Sequence, residues 1–331
     1  MRASPWLLIA GVVFVLFEVG WYGMIRMPGE SYRGPIPPLT ADEQELEKEL
    51  RRHVTMLAGE IGERNLSYYD KLQLAVDYIK TRFQKSGYVV RSQEYQVEGR
   101  ICENIEVEVR GTRHPEEILL IGAHYDSVKG SPGANDNATG VAAVLELARI
   151  FSQVPSSRTL RFVAFVNEEP PFFQTPDMGS WVYAQRSRER GEQINAMFSL
   201  ETIGYYSERP GSQHYPAPLG LLYPSTGNFI GFVGNIQNGE LVRRVVGSFR
   251  NHAVVPSEGT AMWGGLPGIG WSDHWAFWEA GFPAIMVTDT ALFRDPFYHT
   301  AKDTPDHIQY ESFTRVVSGL KPVILDLANT P

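Results

Sequence analysis

Residues 118–123 read Ile-Leu-Leu-Ile-Gly-Ala, an unbroken apolar run that is too short for an ordinary helix and lacks the alternation of a half-wet strand. Such a run suits a strand covered on both faces, which in practice means a strand inside a parallel sheet flanked by helices. Residues 160–166, interrupted only by Arg161, and residues 196–200 repeat the pattern. Between and before them lie stretches with apolar residues at helical spacing: 46–57, 72–83, 140–151 and 180–188. Segments 88–97 and 104–109 alternate as half-exposed strands do, and Ser86-Gly87 supplies a helix stop between 83 and 88. Strands alternating with helices predict an α/β domain around a mostly parallel sheet. Residues 206–238 are rich in Gly and Pro and read as loops with a strand or two.

The N-terminus is a different kind of sequence. Residues 6–25 are almost wholly apolar, matching the roughly 20 residues of a spanning helix. Trp6 stands at one end and Trp21 and Tyr22 near the other, as interfacial aromatics do. Glu18 is costly inside a bilayer but lies toward the C-terminal end, where it can snorkel. A cleaved signal peptide is the rival; the run is long for one, and no A-x-A-like site follows. Arg2 precedes the run while Arg26 and Arg33 follow it, so charge leaves the orientation open. The expected organisation is a membrane anchor over 1–25, a Pro/Gly-rich semi-extended linker over 26–39, and a single domain over 40–331. Thr40 and Glu43 form a capping-box pattern at the start of that domain.

Composition removes several chemistries. The net charge of −8 and the lack of basic runs argue against nucleic acid as a partner. The single cysteine, Cys102, rules out an intramolecular disulfide and a Cys-based zinc site. Oligomeric state is not readable.

In a parallel sheet, ligands collect beyond the carboxyl ends of the strands. Polar residues cluster there. His124-Tyr125-Asp126 follows the run 118–123, and Asp126 is placed to take the second ring N–H of His124. Asp136 lies in Gly-Ala-Asn-Asp-Asn-Ala-Thr-Gly just before a helix. Glu168-Glu169 follows 160–166, Glu201 follows 196–200, and His299 stands in Tyr-His-Thr near Asp303 and Asp306. Each has an ordinary structural reading when taken alone: a satisfied histidine, an N-cap aspartate, a solvated loop. Together they supply the N and O donors that zinc accepts.

The blocks AHYDSV, GANDNATG, NEEP, SLETIGY and YHT, in this order, resemble the M28 family of zinc aminopeptidases. The resemblance runs from about Ala41 onward and extends to Ser272-Asp273-His274 and to residues 280–284. It implies a three-layer sandwich around a mixed, mostly parallel sheet. It implies zinc, with Asp136 bridging a first site of His124 and Glu201 and a second of Glu169 and His299. Glu168 would be the general base, Tyr298 a candidate for steadying the oxyanion, and Asp126 the partner orienting His124. Peptides would be the substrates, and the catalytic domain would face the periplasmic or extracellular side. The family usually has Asp where this chain has Glu201, one methylene longer, which leaves one or two zincs open. A glutaminyl cyclase, sharing the fold with a single zinc, and a non-catalytic, membrane-tethered binding protein are the alternative functions.

Overall fold

The computed structural model describes Gly20 and residues 23–330. Eight strands form one sheet: β1 (Arg91–Val97), β2 (Arg100–Val109), β3 (His114–His124), β4 (Arg158–Phe165), β5 (Gln193–Glu201), β6 (Ile230–Asn235), β7 (Ser257–Met262) and β8 (Ala284–Thr288). Their order is β1-β2-β4-β3-β5-β8-β6-β7. The centre is parallel, β4 with β3, β3 with β5 and β5 with β8. Antiparallel pairings join β1 to β2, β2 to β4 and β6 to β8. The sheet is therefore mixed, with the expected parallel core.

Helices α1 (Ala41–Val54), α2 (Tyr69–Lys85), α3 (Thr139–Phe151), α4 (Gly179–Glu189), α5 (Gly239–His252), α6 (His274–Glu279) and α7 (Tyr310–Asn329) cover both faces. Alternation along β3 explains the solid apolar run: Leu119, Ile121 and Ala123 join the core under α1, α2, α3, α5 and α7. Ile118 and Leu120 point the other way, into the core under α4 and α6. A strand buried on both faces has no position where a polar side chain reaches water. The capping box at Thr40 and Glu43 forms as its spacing requires, with the Thr40 N–H donating to Glu43 Oε2 at 2.9 Å.

The expected anchor, residues 6–25, lies outside the described residues apart from Gly20 and 23–25. Among the described residues no helix is long and apolar enough to cross a membrane. The Pro/Gly-rich stretch after it is extended, as its composition dictates, but it is packed against the domain and is no free spacer. Met27 is 8% exposed and sits over Gly259, where a Cβ would lie 2.8 Å from Met27 Cγ. Arg250 on α5 donates to the carbonyls of Pro28 (3.2 Å) and Gly29 (3.1 Å), and Ser257 at the edge of β7 donates its N–H to Ser31 Oγ. Arg315 on α7 holds the Pro37 carbonyl at 2.5 Å. Composition reports chain stiffness but not which surface the chain lies on.

Candidate metal centre

The parallel strands β3, β4 and β5 end side by side, so the residues that follow them meet above one edge of the sheet. His124 closes β3 and Glu201 closes β5; Glu168 and Glu169 come three and four residues after β4. Asp136 arrives from the loop before α3, and His299 from the loop before α7. His124 Nε2 lies 3.3 Å from Asp136 Oδ1 and 3.2 Å from Glu201 Oε2. His299 Nε2 lies 3.0 Å from Asp136 Oδ2 and 3.3 Å from Glu169 Oε2. The two oxygens of Asp136 thus face two different groups of donors. Glu168 Oε2 stands farther out, 3.8 Å from His124 Nε2.

Backbone and buried partners aim these side chains. Asn167, Thr202 and His299 all have left-handed backbones, with φ of 58°, 46° and 57°. Non-glycine residues adopt that region only when their surroundings hold them there. For Thr202 the hold is its hydroxyl, which donates to the Glu201 carbonyl and meets Thr288 Oγ1 at 3.1 Å. Asp303 accepts the N–H groups of Asn135 (2.7 Å) and Asp136 (3.1 Å), fixing Asp136 through its own backbone. Asn137 donates to the Leu200 carbonyl and accepts from the N–H groups of Gly140 and Thr202, tying the Asp136 loop to the end of β5. Ser272 donates to Glu201 Oε2 at 2.8 Å and so accepts from the Ser199 hydroxyl, steadying the longer carboxylate.

Asp126 meets more than the histidine beside it. Its Oδ1 is 3.5 Å from His124 Nδ1, beyond good hydrogen-bond range, while Oδ1 and Oδ2 accept the N–H groups of Glu168 (3.2 Å) and Glu169 (3.1 Å). It orients the acidic pair first and the histidine second. Asp126→Ala is expected to weaken zinc binding ~10–100-fold, read by competition with a chelator of known affinity; unchanged affinity would remove Asp126 from the site.

A buried arginine, Arg64, sits behind the loops. Its guanidinium donates to the carbonyls of Tyr125 (2.6 Å), Pro132 (2.6 Å) and Gly133 (2.9 Å), joining the His124 loop to the Asp136 loop. An arginine between two helical segments offers no ligand chemistry, so nothing in the sequence singles it out.

Whether these residues suit a metal can be judged from charge and hydrogen bonding. Asp126, Asp136, Glu168, Glu169, Glu201, Asp273 and Asp303 are all buried here, opposed by Arg64 and two imidazoles. Burial first, and then the charge of Asp136, pushes Glu169 up to about 8. Burial together with the Glu201, Glu169 and Asp273 carboxylates also drives Glu168 well above the carboxylate range. Burial would raise Asp136 too, but the imidazoles of His124 and His299 outweigh it and hold that carboxyl below its usual value. Both ring nitrogens of His124 and both oxygens of Asp136 are buried without a hydrogen bond of good geometry. Orphaned donors and surplus negative charge of this kind are what bound cations relieve. His124/Asp136/Glu201 and Asp136/Glu169/His299 each bring three ligand atoms within 4.8 Å of one another. Imidazole and carboxylate donors without cysteine suit zinc. By contrast, the cluster of Glu49, His53 and Glu146 is saturated: Tyr78 meets His53 Nδ1, while Arg82 and Arg149 take the carboxylates.

The family model of peptidase family M28 matches residues 104–323, from β2 to the middle of α7. The chain belongs to peptidase family M28. It is a metallopeptidase, and the ligand positions expected from the sequence blocks fall within the matched span. This M28 chain is 39% identical over 295 residues to YfbL, an uncharacterised protein of Escherichia coli, covering 86% of this chain and 88% of that one. Of the curated aminopeptidases it matches, it spans about half the length, 39% of one from Bacillus subtilis and 55% of one from Arthroderma otae. Among solved structures it superposes on BSAP, a zinc aminopeptidase of Bacillus subtilis, with a TM-score of 0.68 at 16% identity, covering 86% of this chain and 95% of that one. The glutaminyl cyclase of Fimbriiglobus ruber gives 0.63 at 20% identity, with 89% and 97% covered. At such identities the likeness is one of fold, and the fold does not separate peptidase from cyclase.

Proposed function

We propose that this M28 peptidase is a zinc aminopeptidase, tethered by its N-terminal apolar run with the catalytic domain on the periplasmic or extracellular side. The observation that carries the reading is Asp136, whose two oxygens each face a separate group of donors, with Glu168 standing farther out, 3.8 Å from His124 Nε2. Two zincs fit this arrangement: His124, Asp136 and Glu201 would hold one, and Asp136, Glu169 and His299 the other. Bound zinc supplies an acidified water and polarises the scissile carbonyl. Glu168 takes a proton from the attacking water and returns it to the leaving amine. Tyr298 stacks on His299 with ring centroids 3.9 Å apart, and burial first, then the surrounding carboxylates, keeps its phenol protonated. A phenol there can donate to the developing oxyanion.

An apolar cavity opens beside the centre, with Glu201 and Tyr298 at its edge and Phe229, Phe232, Met286 and Phe293 among its walls. The cavity suits a peptide whose first side chain is large and apolar. Its floor comes from the face of β6, β7 and β8 where Gly231, Glu258 and Thr288 stand in one row. The missing side chain at Gly231 opens it.

The test uses the full chain with leucyl and phenylalanyl peptides. Stepwise release of N-terminal residues is expected, lost on N-acetylation, lost with a zinc chelator and restored by zinc. Internal cleavage, or indifference to acetylation, would refute the aminopeptidase reading. Pyroglutamate as the only product from a glutaminyl peptide would identify a cyclase instead. A folded preparation that holds no zinc would point to a binding protein.

A further inference from the structure

The chain has seven tryptophans. Trp6 and Trp21 belong to the apolar run, and the other five gather in one patch of the folded domain. Trp263, Trp271, Trp275 and Trp278 line a broad open groove, and Trp181 stacks on Trp275 at 5.3 Å. Trp263 is 65% exposed, Trp271 43%, and Ile236, between the lining residues Asn235 and Gln237 in the chain, 52%. Amides and glycines (Asn235, Gln237, Gly264) fill the gaps between the rings, and Glu279 is the one charged residue among the lining. Exposing that much indole to water is unfavourable, and monomeric proteins rarely leave such patches uncovered.

What covers it is indicated by where the chain enters. α5 starts at Gly239, directly after the groove residues Gln237 and Asn238. A Cβ at Gly239 would lie 3.5 Å from the carbonyl oxygen of Gly23, and Arg243, one turn along α5, donates to the Arg26 carbonyl. The packed linker keeps this junction in place. The end of the apolar run therefore lies within about a helical turn of the groove. Indole rings, apolar in body with one N–H, partition to the headgroup region of a bilayer.

We propose that the tryptophan groove seats on the interfacial layer of the phospholipid bilayer that the N-terminal run enters. This rests on the anchor reading above. Trp271 is also a wall of the apolar cavity beside the metal centre, so a domain seated this way holds that cavity at the membrane surface.

The full chain, reconstituted in phosphatidylcholine/phosphatidylglycerol vesicles, allows a direct test. Cys102 is 1% exposed and leaves introduced thiols to be spin-labelled selectively. The labels go on Glu279→Cys at the groove and on Val89→Cys, 85% exposed just before β1 at the opposite edge of the sheet. Accessibility to oxygen relative to a water-soluble nickel chelate is expected to be several-fold higher at 279 than at 89. Adding Trp263→Ala is expected to bring the value at 279 toward that at 89. Equal values at both positions in protein that resists a carbonate wash overturn the docking and leave the anchor standing. Spin–spin broadening at 279 also overturns it, because a second copy then covers the groove. Protein stripped from the vesicles by carbonate overturns the anchor and the docking together.

Discussion

Glu168→Ala is expected to retain its zinc, bind peptides with little change in KM, and lose ~10²–10⁴-fold in kcat, the range typical of a removed general base. That loss corresponds to about 3–5 kcal/mol of transition-state stabilisation. Position separates this residue from its neighbour. Glu169 commits one oxygen to the Val128 N–H and the other to the side of His299 and Asp136. Glu168, 3.8 Å from His124 Nε2, is farther than the 3.3 Å and 3.2 Å of Asp136 and Glu201, so it stands farther out than those two carboxylates. Its buried position, with carboxylates around it, raises its proton affinity, while bound cations act in the opposite sense. Zinc content and steady-state kinetics on one preparation check both halves of the expectation. Activity within tenfold of wild type would remove Glu168 from the role of base, and lost zinc would make it a ligand.

Asp136→Ala has the larger structural consequence, because the same side chain serves both groups of donors. Without it His124 and Glu201 remain on one side and Glu169 and His299 on the other, two donors where zinc sites use three or more. Zinc content is expected to fall to background at both sites, a greater loss than at Asp126, where only an orienting carboxylate goes. Asp136→Asn, keeping one oxygen acceptor, is expected to fall between. Zinc retained at one equivalent or more in folded Asp136→Ala, measured by elemental analysis, would show that the bridging assignment is wrong.

Much of this centre was legible because parallel sheets concentrate function at strand ends. His124, Glu168, Glu169 and Glu201 could be placed simply by finding where apolar runs stop. Asp136 and His299 were harder, since loops carry no period, and their assignment rested on block order. Glu201 was visible as a departure, yet its support by Ser272 and Asn137 depends on contacts that no spacing encodes. The place of Asp126 beside His124 follows from sequence proximity, but that its oxygens also meet two backbone N–H groups from after β4 does not. Edge strand β7 went unread for a related reason: Ser-Glu-Gly-Thr-Ala-Met has little strand character of its own and is held by pairing with β6. The docked linker is the same lesson on a larger scale, because Met27 belongs to the core only through what Gly259 leaves open.

Arg64 makes catalytic competence depend on when the chain finishes folding. The guanidinium that joins the His124 and Asp136 loops also lies within 3.4 Å of the Leu57 carbonyl, at the end of the first helical layer. Fully buried, it can hold those loops only after that layer has closed over the sheet. A nascent or locally opened chain still carries every ligand, but its loops lack the brace that brings them together. The peptidase is in this sense self-timed: its hydrolytic power comes with the finished fold.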